Sequence, residues 1–273
     1  MHPTLFHLGP LTLHSYGLMI TLAFIAAIWL TGRRARKTGL PQHFAVDISF
    51  VLIIVSLVSA RLTYVVGHWS EFRNYPLDII SPIQHDGTIG IAGLVLLGGV
   101  TGGIVATIIY VRAKKLPLLL VLDVLSPPVV IGIAIGRIGC FLNGCCFGFP
   151  TELPWGCVFP EESLAGFIYP HTPIHPTQLY DLLLMVILFA LLLLLERRPH
   201  RQGQTFSFFL MGYAVARFWV EGLRWYEPNL IPAFIGSLQL TGSRIVSMVM
   251  FIAGLILWIR LRRRPATKNG KSP

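Results

Sequence analysis

The sequence predicts an all-α membrane protein: one integral domain, residues 1–273, of seven transmembrane helices. Its N-terminus is expected outside, its C-terminus in the cytoplasm, with a small head on the outer face. Three observations lead there. Of 273 residues, 54% are hydrophobic and only 12% charged, against about 25% charged in a soluble domain. Seven segments are apolar over most of the roughly 20 residues a helix needs to cross a bilayer. Sixteen of the 22 lysines and arginines also gather in four clusters, all of which fall on one side of such a seven-span chain.

The spans are read as Gly17–Leu30, Phe44–Val66, Ile89–Val111, Leu116–Ile135, Thr177–Leu195, Thr205–Val220 and Leu238–Ile259. The first and sixth reach 20 residues only when extended into their flanks. The clusters are Arg33/Arg34/Arg36/Lys37, Arg112/Lys114/Lys115, Arg197/Arg198/Arg201 and a basic tail over 260–273. Cations are retained on the cytoplasmic side of short loops, which sets the orientation. The net charge of +10 then reports topology, and no nucleic acid is implied. No basic region precedes the first span and a basic cluster follows it, so it is expected to stay as an anchor.

Glycines at four-residue spacing, Gly98/Gly102 and Gly99/Gly103, with Gly132/Gly136 one span later, predict close helix contacts. The expectation is that the third and fourth spans pack on each other there. Residues 139–174, rich in proline and aromatics, are read as the head region.

Six basic residues are left over by topology: Arg61, Arg73, Arg137, Arg217, Arg224 and Arg244. Arg73 lies in a polar outer loop. An arginine inside a span costs about 2.5–3.5 kcal/mol on insertion scales, so it faces a partner or a wet cavity. Arg137, Arg217 and Arg224 are predicted at one depth near the outer face. Cations gathered there suit an anionic ligand such as a lipid phosphate, which the planar guanidinium can grip at two oxygens. The plainer reading is ion pairing, because in "RFWVEGLR" Arg217 and Glu221 are four apart and Glu221 and Arg224 three apart.

"HTPIHPTQLYD" runs from a loop into the fifth span, placing Gln178, Tyr180 and Asp181 in its first turns. His171 and His175 have a metal-like spacing but no acidic partner at a matching interval. The four cysteines, Cys140, Cys145, Cys146 and Cys157, lie within 18 residues of one another. A bridge pinning an outer loop, a thiol activated by Arg137 and a metal site all stay open. The spacing lacks the paired C-x2-C of a zinc site, so no metal is expected.

"SYGLM", "GRIGCFLNGCCFG", "HPTQLYD" and "RFWVEGLR", in that order on seven spans, resemble the prolipoprotein diacylglyceryl transferases over nearly the whole chain. The resemblance implies a multi-pass enzyme of the bacterial inner membrane with its active site and head facing the periplasm. Such an enzyme moves the diacylglyceryl group of phosphatidylglycerol to the lipobox cysteine thiol of a prolipoprotein, releasing glycerol phosphate. Its partners are those two substrates and membrane lipids, and no cofactor is implied. By position, Arg137 would hold the lipid phosphate and Arg217 with Glu221 would complete the polar cavity. Tyr16 and Tyr213 match tyrosines near the reaction centre, and Gly148 closes the motif. Tyr16, Arg217, Glu221, Cys140 and Cys145 are therefore taken as catalytic candidates. Arg137, Asn143, Gly148, His175, Gln178 and Tyr213 are taken as substrate-binding candidates.

Four positions depart from the family pattern, one of them Asp181, which ends "HPTQLYD" where the family usually has a glutamate. Cys140 stands for an asparagine and Cys145 for a glutamate of G-R-x-G-N-F-x-N-G-E-x-x-G, while Leu97 stands for the third-span histidine proposed as the base. Cys140, Cys145, Glu221 or His175 could then take that role. Two further readings stay open on these departures: a phospholipid transferase of the same fold with another acceptor, and a non-enzymatic lipid-binding or thiol-redox membrane protein.

Overall fold

A computed structural model describes residues 4–8, 11–73, 75–81, 93–226, 233–235 and 238–263. The basic tail beyond Arg263 and the stretch 82–92 lie outside the described residues. A hairpin of β1 (Thr4–Leu8) and β2 (Leu11–His14) leads into α1 (Ser15–Lys37), followed by α2 (Phe44–Gly67) and the single turn α3 (Trp69–Phe72). Next come α4 (Leu96–Ala113), α5 (Leu118–Asn143), the short α6 (Leu164–Ile168), α7 (Thr177–Glu196) and α8 (Gln204–Glu221). A second small hairpin, β3 (Ala233–Ile235) and β4 (Leu238–Leu240), precedes α9 (Gly242–Arg263).

Each of the seven expected spans contains a helix of 18 residues or more, but the third begins at Leu96 rather than Ile89, and the seventh at Gly242, because Leu238–Leu240 forms strand β4. Six of them are apolar enough to cross a membrane, and α8, the sixth span, is not among these six. Of residues 139–174, expected as the head region, 139–143 belong to the end of α5 and the rest carries the short helix α6 among turns.

Two compact units make up the chain, one formed by Met1–Thr31 with Leu122–Pro273 and the other by Gly32–Val121. In the second unit the glycines of α4 meet α2. A Cβ on Gly98 would lie 2.9 Å from the Ser59 carbonyl, and one on Gly99 3.3 Å from that of Ser56. Gly132 and Gly136 of α5 face Ala23, Ala27 and Ile20 of α1. The small-residue spacing of α4 therefore marks a real close approach, made to α2, whereas the α5 pair meets α1 in ordinary contact. Arg61 is a structural cation of this second unit. It is buried, donates to the carbonyls of Asp78 (2.5 Å) and Ile79 (3.0 Å), and lies over the Phe72 ring.

In the first unit Val130 and Ala134 of α5, Met185, Leu188 and Leu192 of α7 and Ala216 of α8 form a continuous buried core. Asp123 of α5 accepts hydrogen bonds from the amides of Gly203 (2.5 Å) and Phe206 (2.8 Å) at the start of α8. The first amides of a helix have no intrahelical acceptor, and a carboxylate there meets both those donors and the positive end of the helix dipole. Gly203 itself takes φ = 92°, a backbone that side chains disfavour.

Residues 144–176 form a small body of turns over its own apolar cluster of Phe147, Phe159, Ala165 and Ile174, with Trp225 stacked on Phe147 at 5.5 Å.

Candidate active site

Polar groups collect where α1 begins, α5 ends, α7 begins, α8 ends and α9 begins. Asp181, in the second turn of α7, is 1% exposed and sits between two guanidiniums. Its Oδ2 lies 2.7 Å from Arg137 Nη2 of α5 and 3.8 Å from Arg217 Nη1 of α8. Arg217 in turn reaches Glu221 Oε2 at 2.7 Å and donates from Nε to Ser243 Oγ at 2.9 Å. Glu221, also 1% exposed, accepts from Thr241 Oγ1 at 2.7 Å. Three helices, α5, α7 and α8, are thus joined by one chain of charges, and hydrogen bonds to Ser243 and Thr241 tie it to the start of α9. Buried ions of this kind need such pairing, because each charge alone is costly to remove from water. The i, i+4 pairing of Arg217 with Glu221 expected from spacing is present. Arg224, expected to share Glu221, instead lies over the Tyr226 ring at 4.9 Å, and its buried Nε has no hydrogen-bond partner among the described residues.

The sequence expectation ended the fourth span at Ile135. The helix runs on to Asn143, because Arg137 finds Asp181 and need not leave the apolar segment. This brings Cys140 onto the face of Arg137, three residues on. The chain then reverses through Gly144 at φ = 68° and Cys146 at φ = 64°. The Cys145 amide donates back to the Cys140 carbonyl at 3.1 Å. Both neighbouring carbonyls are held by the first turn of α7: Thr177 Oγ1 donates to Cys146 O and Gln178 Nε2 to Cys145 O, each at 2.7 Å. The outcome is a group of three free thiols, Cys140, Cys145 and Cys146, whose sulfurs all lie within 4.8 Å of one another. Cys157 is also free, stands outside that group, and donates to the Trp155 carbonyl. Of the readings left open for the cysteines, the bridge is absent among the described residues, where all four thiols are free.

Within the group, hydrogen bonds from Cys140 and Cys145 hold the Cys146 thiol well below its ordinary range, with Arg224 and Arg137 adding to the effect. Hydrogen bonding with Cys140 and Cys146 pushes Cys145 up. Burial raises Cys157, lowers His175 from its ordinary 6.5, and pushes Tyr226 up to about 12 against the opposing charge of Arg224.

Tyr16, the second residue of α1, lies within electrostatic reach of Arg137 and all three thiols, and packs on Gly139. Tyr213 of α8 faces Arg137. Gly148 is a point of close approach: its amide donates to the His175 carbonyl at 3.0 Å, and it bridges to Arg224. A Cβ there would meet the Leu223 carbonyl at 2.5 Å and His175 Cβ at 2.7 Å. His175 Nδ1 shares a hydrogen bond with Tyr180 Oη at 3.1 Å, and Trp155 donates to the same oxygen. His171 pairs at the surface with Glu161, 2.9 Å away, and is apart from His175's partners. Asn143 ends α5, half-buried beside the thiols. Leu97, 64% exposed, lies in the first turn of α4, in the other unit.

A family model described as prolipoprotein diacylglyceryl transferase matches residues 3–260. The chain belongs to that family. It is 35% identical over 272 residues to the phosphatidylglycerol–prolipoprotein diacylglyceryl transferase of Parasynechococcus marenigrum, covering 96% of this chain and 95% of the relative. It is 34% identical over 283 residues to the protein of that name from Trichormus variabilis, covering 99% and 94%. The Bordetella avium protein of the same name is 34% identical over 269 residues, covering 96% and 95%.

Sequence reasoning on this family member missed Asp181 and Cys146 as site residues. Asp181 could have been found from its neighbours, because an arginine inside a span requires a partner and an acid stands in the first turns of the following span. Cys146 had no such signal, since adjacent residues in regular structure point apart.

Proposed function

We propose that the chain transfers the diacylglyceryl group of phosphatidylglycerol to the cysteine thiol of a prolipoprotein lipobox and releases glycerol phosphate. Family membership supports the reaction, and one observation supports its seat here. Arg137, Arg217 and Arg224 converge on a site in which Asp181 pairs with Arg137 and Glu221 with Arg217, while the buried Arg224 Nε has no hydrogen-bond partner among the described residues. That is a fit for a phosphodiester monoanion.

In this reading Arg137 and Arg224 hold the phosphate, and Arg217 is fixed by Glu221 so that its fork faces the same oxygens. Tyr16 and Tyr213 stand beside the reacting carbon. Gly148, His175, Gln178 and Asn143 shape the entrance through which the acceptor peptide reaches the thiols. Sulfur attacks the glycerol carbon, a C–S bond forms, the C–O bond breaks, and its electron pair leaves on the phosphate oxygen. Guanidiniums on that phosphate stabilise the charge as it develops.

Orientation follows from charge. The site lies at the start of α7 and α9, whereas Arg197, Arg198, Arg260, Arg262 and Arg263 lie at their far ends. Cations mark the cytoplasmic face, so the site opens to the periplasmic side of the bacterial inner membrane, with 144–176 as its head.

The test is purified protein in phosphatidylglycerol vesicles with a lipobox peptide, following glycerol phosphate. Peptide-dependent release is expected, with a loss of about 100-fold in Arg137→Gln, the scale of one lost charge-stabilising donor. Release that ignores the peptide, or that survives Arg137→Gln, would overturn the reading in favour of another acceptor.

A further inference from the structure

The three thiols at the end of α5 are more than replacements for an asparagine and a glutamate. Their sulfurs already lie within 4.8 Å of one another. Three thiolates at about 2.3 Å from a tetrahedral zinc stand about 3.8 Å apart, so closing on an ion needs a movement of at most about 1 Å. Two of the three are adjacent in sequence, and side chains of adjacent residues diverge in a helix or a strand. Here the left-handed turn at Gly144 and Cys146 accompanies their convergence. The turn is pinned from outside by Thr177 and Gln178, which hold the carbonyls of Cys146 and Cys145. Ligands held by supporting hydrogen bonds are the mark of an organised metal site. Charge also fits: three thiolates and a divalent ion leave one negative charge, with Arg137 and Arg224 both acting on Cys146. Soft thiolates select zinc or copper(I) over oxygen-loving ions.

We propose that Cys140, Cys145 and Cys146 bind a zinc ion as three thiolates, and that its open fourth position takes the thiol of the acceptor peptide. Three protein ligands with one open position is the pattern of a catalytic zinc rather than a structural one, and a thiol bound to zinc loses its proton outright. This rests on the transfer reaction proposed above, and it supplies the deprotonated thiol that reaction needs. A zinc-bound acceptor thiol has already lost its proton and needs no side-chain base. On metal entry the three cysteine protons leave to solvent. The acceptor thiol releases its own proton on binding. Its sulfur then forms the C–S bond while the C–O bond breaks, the electron pair departing on glycerol phosphate, and zinc regains its open position when the thioether leaves.

The experiment uses the full chain, reduced, in phosphatidylglycerol-containing detergent. Elemental analysis is expected to find one zinc per chain, lost in Cys140→Ser, Cys145→Ser and Cys146→Ser and kept in Cys157→Ser, which also controls for folding. X-ray absorption should show three sulfur neighbours. With cobalt in place of zinc, the thiolate-to-cobalt absorption should gain the increment of one further thiolate when a lipobox peptide is added, and none with its cysteine replaced by serine. A disulfide among the three in the active protein, zinc retained in the serine variants, or copper(I) held where zinc is not would overturn the site. Zinc bound without response to the thiol peptide would overturn the acceptor's place on it. Full transfer by the metal-free protein would overturn the role of zinc and leave the transfer reaction standing. A bound zinc with the peptide response but no transfer would do the reverse.

Discussion

Asp181 lies 2.7 Å from Arg137 with 1% of its surface exposed, and the same oxygen faces Arg217 from the other side. Removing its charge sets two guanidiniums against each other in a buried place. Breaking one partner out of such a pair costs about 3–5 kcal/mol. Asp181→Asn is therefore expected to lower the unfolding temperature and to reduce transfer sharply, whereas Asp181→Glu, which restores the charge, should recover most of both. Melting in detergent and the glycerol phosphate assay check the two readouts separately.

Two glycines of one motif should behave oppositely. Gly148→Ala drives a methyl into the Leu223 carbonyl at 2.5 Å, His175 Cβ at 2.7 Å and Thr177 Cγ2 at 2.8 Å. None of these is the end of a flexible side chain, and overpacking of this kind costs about 1–3 kcal/mol. Gly136→Ala meets only the end of Ile20 at 3.6 Å, an ordinary contact, and should be tolerated. Comparing the melting temperatures of the pair decides the matter.

Asp123→Ala removes the acceptor for two amides at the start of α8. Loss of a helix cap costs about 1 kcal/mol, and because α8 carries Arg217 and Glu221, activity should fall with stability. Hydrogen exchange should quicken at residues 203–207 before it does elsewhere in α8.

Burial holds His175 below its ordinary 6.5. The folded protein then binds fewer protons at this group than the unfolded chain. Its contribution is intact above pH 6.5 and is lost as pH falls below that value. Melting temperature is expected to decline across this acid window, and His175→Gln should flatten the decline. An unchanged slope in the variant would assign the dependence to other groups.

The long helices were legible from apolar runs, six of them apolar enough to cross a bilayer, because a bilayer imposes length and composition on whatever crosses it. The buried charge cluster around Arg137 and Arg217 was legible for a related reason, since arginines are expensive in such places and stand out. What the sequence concealed depends on chain reversal. Cys146 joins Cys140 through a left-handed turn that no periodicity reports. The glycines of α4 declare that a helix comes close without saying which, and the neighbour in space proved to be α2. The fourth span ran eight residues beyond its expected end because its charge is matched by Asp181, a partner 44 positions away in sequence.

One consequence of the α8 cap concerns length. Asp123 grips Gly203, and 14 residues further on in each helix Arg137 and Arg217 both face Asp181. Helices α5 and α8 therefore run side by side as two rails of equal measure, about 21 Å between the lower rung and the upper. Fourteen residues is close to four turns, so both rungs fall on the same face of each rail. A single residue inserted into either helix between its rungs would swing one arginine by about 100° and raise it by about 1.5 Å, with every side chain of the site still present. Matched insertions in both rails would restore the vertical alignment but leave both arginines turned from Asp181. The site is thus gauged by count as well as by composition.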